Sequence, residues 1–207
     1  VSYSSDIELN KKHSSDWRGR FTNISLGVVF PNSTFQVSKI VKFANKHNIS
    51  LIPQGGNTGL VGGTSPSKNK MEIILSLEKM NKIFEIDDEN RSIELQAGVI
   101  IENASSILEN KDFIFPLNMS SIGSSQVGGA IATNAGGMNV IKYGSIRNNI
   151  LAVEVVLANG EILSLGSNLI KDNTGYNLKD IFCGSEGTLG IITKARMKIY
   201  PKPFDYA

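Results

Sequence analysis

The first third of the chain alternates short strand patterns with one helix pattern. An apolar run at 27–30 predicts a buried strand, and Ser33 with Gln36 predicts a capping box at the start of a helix. Two more apolar runs, at 51–52 and 73–75, predict further strands. Because the helix has to cross over the sheet, we expect these strands to pair in parallel. The apolar face of the helix consists of Val37, Ile40, Val41 and Ala44.

From about Asn81 onward the pattern becomes antiparallel. The predicted elements are a hairpin at 83–86 and 93–95, a helix at 100–108, a second hairpin at 153–165 and a final strand at 191–200. Asn159-Gly160 predicts a type I′ turn in the second hairpin, because both residues tolerate positive φ.

Together these patterns predict an α+β protein with two lobes that meet near Met80. A small parallel βαβ lobe, residues 24–80, is followed by a larger lobe of mixed and antiparallel sheet with helices, residues 81–203. The polar residues 1–23 lack clear periodicity and are expected to form an N-terminal segment.

Composition narrows the classes of function. The 207 residues are 41% apolar and 19% charged, with a net charge of +2, so we expect no nucleic-acid partner. No apolar run is long enough to cross a bilayer and no secretory signal opens the chain, so we predict a cytoplasmic protein. Cys183 is the single cysteine, and no residue spacing predicts a metal site. The chain starts without methionine and stops soon after a strand pattern, which suggests one portion of a longer protein.

The most informative segment is PQGGNTGLVGG at 53–63, the first glycine loop, with five glycines between Gly55 and Gly63. Such glycine density indicates positive-φ turns or close approach of another group to the main chain, and free amides on small residues suit a phosphate. Asn57 and Thr58 can add side-chain hydrogen bonds. A tight surface turn is the alternative, which we favour for an isolated glycine pair but not here. The Walker and Rossmann patterns are absent, so amides rather than lysine would meet the ligand charge.

A second glycine loop, GSSQVGGAIATNAGG at 123–137, alternates small and hydrogen-bonding side chains in the same way. Two such loops from different lobes suit a long ligand with a central diphosphate. A third segment, GSEGTLGII at 184–192, ends in Ile191 and Ile192, which fit a contact with an apolar ring and a place in the core equally well. Glu186 is interpreted as a local cap or loop clamp rather than an acid or base. No residue is predicted to be catalytic.

In this order and at this spacing, the three loops resemble the FAD-binding domain (para-cresol methylhydroxylase type) of the vanillyl-alcohol oxidase superfamily. PQGGNTGLVGG, GGAIATNAGG and KDNTGYNLKDIFCGSEGTLGIIT are similar to the D-2-hydroxyglutarate and D-lactate dehydrogenase branch, which includes the glycolate oxidase D subunit. DWRGR at 16–20 fits the same branch. The resemblance implies a two-lobed FAD-binding domain of a flavoprotein oxidoreductase that acts on a CH–OH donor.

The resemblance also implies which residues bind FAD. These are Pro53, Gly55, Gly56, Asn57, Thr58, Gly59, Leu60, Pro116, Gly123, Ser124, Gly128, Gly129, Thr133, Asn134, Gly136, Gly137, Gly144, Gly187, Gly190 and Ile191. Some relatives link the flavin covalently through a histidine in the first loop or a cysteine in the second. This chain has neither, so we expect noncovalent FAD. Lys171 and Asp172 fit either a loop clamp or a flavin contact.

In full-length relatives a 2-hydroxyacid passes its Cα hydride to flavin N5, and a C-terminal domain binds substrate and metal. We expect that domain to be absent from this chain, which should then bind FAD but turn over D-lactate, D-2-hydroxyglutarate or glycolate poorly. The surface that this domain would cover is expected to be exposed and apolar in the present chain, and we therefore predict some tendency to form a homodimer. The sequence does not identify the electron acceptor. The full-length protein is expected to be either free in the cytoplasm or peripheral to a membrane.

Two other functions are weighed against this one. A UDP-N-acetylenolpyruvoylglucosamine reductase shares the cofactor fold, but the KDNTGYNL and GSEGTLG segments argue against it. A non-catalytic nucleotide- or phosphate-binding module is the second alternative, and a flavin absorption spectrum after FAD addition would exclude it.

Overall fold

The computed structural model describes residues 1–68 and 71–204, and its strands form two main sheets. The first sheet contains β1 (Ser2–Ser4), β2 (Val28–Phe30), β3 (Ser50–Gln54) and β4 (Glu72–Ser76), in the order β1-β2-β4-β3. The second sheet contains β5 (Ile83–Asp87), β6 (Ser92–Gln96), β8 (Ile150–Leu157), β9 (Ile162–Gly166) and β10 (Gly190–Lys198), in the order β5-β6-β10-β8-β9. Two short strands, β7 (Phe113–Ile114) and β11 (Tyr200–Pro201), pair separately.

Seven described helices connect and cover these sheets. They are α1 (Ile7–Ser14), α2 (Thr34–Lys46), α3 (Ile101–Glu109), α4 (Val127–Ala132), α5 (Val140–Tyr143), α6 (Ile146–Asn149) and α7 (Lys179–Phe182). None of those described is long and apolar enough to span a membrane. The α+β class predicted from the sequence is confirmed.

The first sheet contains the predicted parallel crossover. β2 and β3 both pair in parallel with β4, and α2 connects β2 to β3. The predicted capping box is half right. Ser33 Oγ accepts a hydrogen bond from Gln36 N at 3.4 Å, but Gln36 Oε1 accepts from the Asn32 amide, one residue before the cap.

The N-terminal residues contain two elements that showed no periodicity in the sequence. β1 pairs antiparallel with β2 at the edge of the first sheet, and α1 follows it. β1 is only three residues long and largely exposed, so it has no apolar alternation to detect. Its edge position explains why a polar sequence can form this strand.

The second sheet contains both predicted hairpins, with two differences of detail. The predicted type I′ turn is wrong, because Gly160 has φ +81° whereas Asn159 has no positive φ. Asn159 Oδ1 instead accepts a hydrogen bond from Glu161 N at 2.9 Å, which fixes the asparagine in a different turn. The predicted final strand is interrupted at Ile199, whose amide donates to Arg91 O at 2.9 Å.

One large apolar cluster joins the two sheets. It includes Leu75 from the first sheet, Leu95 from the second, and Met80 from the connection between them, all without solvent exposure. A smaller cluster around Val28 and Ile74 contains residues of β2, β3 and β4. Because both sheets contribute to the larger cluster, the loops at their shared edge are held in fixed relative positions.

Candidate functional site

A cleft lies where β3 ends and β10 begins, between the two sheets. Its walls come from the first glycine loop, from helix α4, and from the segment that precedes β10. Nine of the residues that the resemblance assigned to FAD line it: Pro53, Gly55, Gly59, Gly128, Gly129, Thr133, Gly187, Gly190 and Ile191. The three glycine-rich segments, far apart in sequence, therefore meet in one place.

The first glycine loop presents a row of unengaged backbone amides. Within the part of the chain that the structure describes, no amide from Gly55 to Gly63 donates a hydrogen bond to the protein. Asn57 and Gly62 adopt left-handed conformations, with φ +52° and +77°. We call residues 55–63 the amide row. Such a concave run of donors suits an anion.

The polar side chains of this loop are used inside the protein. Asn57 Nδ2 donates to Ser15 O at 2.7 Å, and its Oδ1 accepts from Thr64 Oγ1 at 2.7 Å. Thr58 Oγ1 lies 3.0 Å from Ser125 Oγ of the second loop. Asn57 was expected to offer its side chain to a ligand, but both ends of its carboxamide already have protein partners.

The two adjacent glycines at the start of α4 have different surroundings. Gly128 N donates to Ala97 O at 2.7 Å, and a Cβ at Gly128 would lie 2.5 Å from Ala97 Cβ. At Gly129 a Cβ would meet no protein atom within 4 Å. Gly128 is therefore required for packing against the end of β6, whereas Gly129 leaves space open at the cleft.

Several of the other assigned glycines serve close contacts within the protein rather than the cleft. A Cβ at Gly56 would lie 1.8 Å from Ser124 O, and one at Gly137 would lie 1.9 Å from Asn118 O. Gly144 has φ +77° and packs on Asn148. The assigned residues that do not line the cleft are Gly56, Asn57, Thr58, Leu60, Pro116, Gly123, Ser124, Asn134, Gly136, Gly137 and Gly144.

Glu186 does not act as the predicted cap. Its backbone has φ +51° and its amide donates to Ala132 O at 2.8 Å. Among the described residues its carboxylate accepts no hydrogen bond; it lines the cleft instead, with Oε2 3.8 Å from a Cβ position at Gly63. Ile191 and Ile192 belong to the buried core and also line the cleft, so their place in the core is confirmed and their contact with an apolar ring stays a prediction.

Arg147 was not singled out in the sequence, yet it holds the segment before the third loop. Nη1 donates to Asp180 O at 2.6 Å and Nη2 donates to Cys183 O at 2.5 Å. Cys183 is buried, and burial raises the pKa of its thiol. A protonated thiol is a poor nucleophile. A lone arginine carries no motif, so the sequence offered no signal for this role.

The sequence left two roles open for Lys171 and Asp172, a loop clamp or a flavin contact, and the Asp172 side chain acts as a loop clamp. Its Oδ1 accepts from Thr174 N at 3.0 Å and its Oδ2 accepts from Ser167 Oγ at 2.8 Å. The hydrogen bond from the Thr174 amide lowers the pKa of the carboxyl. Elsewhere too, the described residues contain no group of three or more His, Cys, Asp or Glu side chains that could hold a metal ion.

Gln126 is a further polar group at the site that the sequence did not single out. Its side-chain Oε1 is buried without a hydrogen-bond partner among the described residues. It lies 3.5 Å from a Cβ position at Gly55, on the wall shared by the first two loops. Buried acceptors without partners are uncommon and often mark a place that a ligand or water completes.

Comparison with known proteins agrees with this geometry. A family model described as "FAD binding domain" matches residues 25–166. The chain is 49% identical over 179 residues to the probable mitochondrial D-2-hydroxyglutarate dehydrogenase of Oryza sativa subsp. indica, covering 86% of this chain and 32% of the rice protein. It is 45% identical over 198 residues to the mitochondrial D-2-hydroxyglutarate dehydrogenase of Danio rerio, covering 96% of this chain and 37% of that protein.

A solved structure of an alkyldihydroxyacetonephosphate synthase is also similar, with a TM-score of 0.87 at 28% identity. The match covers 98% of this chain and 38% of the synthase. The chain thus spans about a third of the length of the curated relatives that it matches.

Proposed function

Because the chain belongs to the FAD-binding domain family, we propose that it is the flavin-holding part of a D-2-hydroxyglutarate-type 2-hydroxyacid dehydrogenase. The observation that carries the proposal is the amide row, residues 55–63, whose amides donate no hydrogen bond to any described residue and which opens on a cleft between the sheets. A dinucleotide diphosphate is an anion of suitable length and charge for such a row.

The residues present fit FAD on two counts. The amide row offers charge-assisted hydrogen bonds of about 1.5–3 kcal/mol each, so a few of them can hold a diphosphate. Gly59 and Gly129 leave space for a ligand to approach the main chain. We propose the nine cleft-lining residues as the FAD contacts, and the assigned residues outside the cleft stay predictions.

Bound FAD supplies a hydride acceptor at the flavin ring. In the proposed reaction the substrate loses a hydride from Cα and a proton from its hydroxyl group, and a 2-oxoacid is formed. The part played by this chain is to bind and orient the cofactor and to keep water away from it. Since the chain spans only about a third of its relatives, we propose that substrate binding and the proton-accepting base belong to a C-terminal domain.

The names of the two relatives favour D-2-hydroxyglutarate among the three acids considered. The test is anaerobic reduction of the bound flavin in the full-length protein, with D-2-hydroxyglutarate, D-lactate and glycolate compared. We expect fastest bleaching with D-2-hydroxyglutarate. Flavin that binds but is reduced by none of the three would contradict the proposal, and nucleotide binding without flavin binding would favour a non-catalytic module.

The isolated chain gives a second test. We expect it to acquire the visible absorption of bound flavin but to oxidise D-2-hydroxyglutarate far below the rates of about 1–1000 per second that are usual for enzymes. Flavin should be released when the protein is denatured, because neither glycine loop carries a histidine or cysteine for covalent attachment. Flavin that remains with the denatured chain would contradict noncovalent binding.

Two further proposals concern assembly and location. Met138 and Ile141 expose large apolar side chains at or beside α5, which supports some tendency to form a homodimer. A strictly monomeric sedimentation profile at high concentration would contradict it.

A cytoplasmic location, free or peripheral to a membrane, also stays a proposal. The two relatives are named as mitochondrial, so imaging of the tagged full-length protein should compare these compartments.

A further inference from the structure

We propose that residues 13–21, which we call the N-terminal strap, hold the amide row in the conformation that binds the cofactor diphosphate. This proposal rests on the proposed function, because it concerns the same site. The strap contains the DWRGR segment at 16–20, whose role the cofactor contacts leave unexplained. Three separate contacts between the strap and the first glycine loop carry the inference.

The first contact fixes the middle of the loop. Asn57 has φ +52°, a conformation that non-glycine residues rarely adopt. Its carboxamide is held at both ends, by Ser15 O of the strap and by Thr64 Oγ1 at 2.7 Å each. The side chain therefore ties the left-handed turn of the loop to the strap.

The second contact fixes the start of the loop. Gln54 and His13 are both buried, and they form a reciprocal pair. His13 Nδ1 lies 2.6 Å from Gln54 Oε1, and Gln54 Nε2 donates to His13 O at 2.7 Å. The same Nε2 lies 3.2 Å from Thr64 O, just beyond the loop. A buried polar pair of this kind is costly to separate, because each group would lose its partner away from water.

The third contact lies near the end of the loop. The Phe21 ring occupies the place where a Cβ at Gly62 would be, 2.6 Å from that position. Asp16 keeps the strap folded beneath the ring, since its Oδ1 accepts from Phe21 N at 2.9 Å and its Oδ2 from Arg18 N at 3.3 Å. The strap thus reaches the loop at its start, middle and end.

None of these contacts uses an amide of the amide row. The strap contacts Gln54 and Asn57 through their side chains and Gly62 on the side that lacks a Cβ. No described residue accepts a hydrogen bond from the amides of residues 55–63. An unsupported glycine-rich loop would lose much conformational entropy when a ligand orders it. A loop that is already held loses less, so the strap should raise the affinity for FAD without touching it.

The test compares two asparagine-to-glycine variants that share the same backbone requirement. Asn57→Gly removes the two side-chain hydrogen bonds at φ +52°, and Asn48→Gly is the matched control, since Asn48 has φ +53° at the end of α2. The readouts are the FAD dissociation constant from flavin fluorescence and the rate of proteolytic cleavage within residues 55–63 without FAD. We expect Asn57→Gly to weaken FAD binding about tenfold or more and to speed cleavage of the loop, with both unchanged in Asn48→Gly.

The outcomes separate this proposal from the proposed function. Wild-type protein that binds no FAD would refute the function itself. If the wild-type protein and Asn57→Gly bind FAD equally well, the proposal for the strap is overturned and the proposed function is not. A lower unfolding free energy with an unchanged dissociation constant would also overturn it, because the contact would then be structural only. If Asn57→Gly does not fold, Phe21→Leu decides: it shortens the strap side chain that packs on Gly62, and an unchanged dissociation constant in that variant overturns the proposal.

Discussion

Replacing Gly129 with alanine should have opposite effects on stability and on cofactor binding. Gly129 is the third residue of α4, it has no left-handed φ, and an added Cβ would meet no protein atom within 4 Å. None of the described residues requires glycine at this position. The position lines the cleft, however, and its amide donates no backbone hydrogen bond among the described residues. Under the proposed function, glycine is needed here only because FAD would come close.

The two magnitudes follow from these surroundings. Alanine is more favourable than glycine inside a helix by roughly 0.5–1 kcal/mol, so the free energy of unfolding without FAD should rise by about that amount. A methyl group forced into occupied ligand space costs about 1–3 kcal/mol. At 1.4 kcal/mol per tenfold change, FAD binding should weaken about 5- to 150-fold.

The assay pairs urea unfolding of the FAD-free protein with FAD titration. Gly128→Ala is the comparison, because its Cβ would lie 2.5 Å from Ala97 Cβ and should destabilise the fold by about 1–3 kcal/mol. A Gly129→Ala protein with unchanged FAD affinity would show that the cofactor does not pass this residue. Lower stability of that variant would show that the space is not open.

Three other perturbations test the packing around the cleft. Gly56→Ala would place a Cβ 1.8 Å from Ser124 O, so it should separate the two glycine loops and lower the unfolding free energy by about 1–3 kcal/mol in urea. The hydrogen bond from the Phe21 amide lowers the pKa of the Asp16 carboxyl in the folded protein. The stabilisation of the fold by this bond is therefore present above about pH 4 and is lost as the pH falls through the lowered pKa. Asp16→Asn should reduce that acid-induced loss, measured as the free energy of unfolding at a series of pH values. Arg147→Met leaves two main-chain carbonyls without their donor and should cost about 1–3 kcal/mol in the same urea assay.

Elements with strong periodicity could be predicted from the sequence, and elements without it could not. Helix α2 has four apolar positions on one face, and the parallel pairing around it follows from the crossover. β1 is an edge strand of three exposed or half-buried residues, so its pairing depends on β2 rather than on its own pattern. The turn at Asn159 differs for a similar reason, because a side-chain bond to Glu161 N competes with the left-handed conformation.

For the candidate site, the sequence located the glycine loops but did not distinguish the tasks of individual glycines. Gly56 and Gly137 admit the backbone of another segment, whereas Gly59 and Gly129 face open space. These residues look alike in the sequence, because the difference lies in which distant main chain passes nearby. Glu186 is a related case, since its side chain faces the cleft while its own backbone is bonded to Ala132.

A cofactor site made from main-chain amides needs two properties that oppose each other. The amides have to be free of protein partners, yet a loop without internal hydrogen bonds has little to hold its shape. We propose that this protein resolves the conflict by transferring the holding contacts to side chains: Asn57 and Gln54 bind the strap, and among the described residues the strap accepts no hydrogen bond from the amides of the amide row. Polar residues of a phosphate loop can therefore be essential to ligand binding while bonding only to protein. Their substitution should weaken binding through the shape of the loop, with no contact to the cofactor lost.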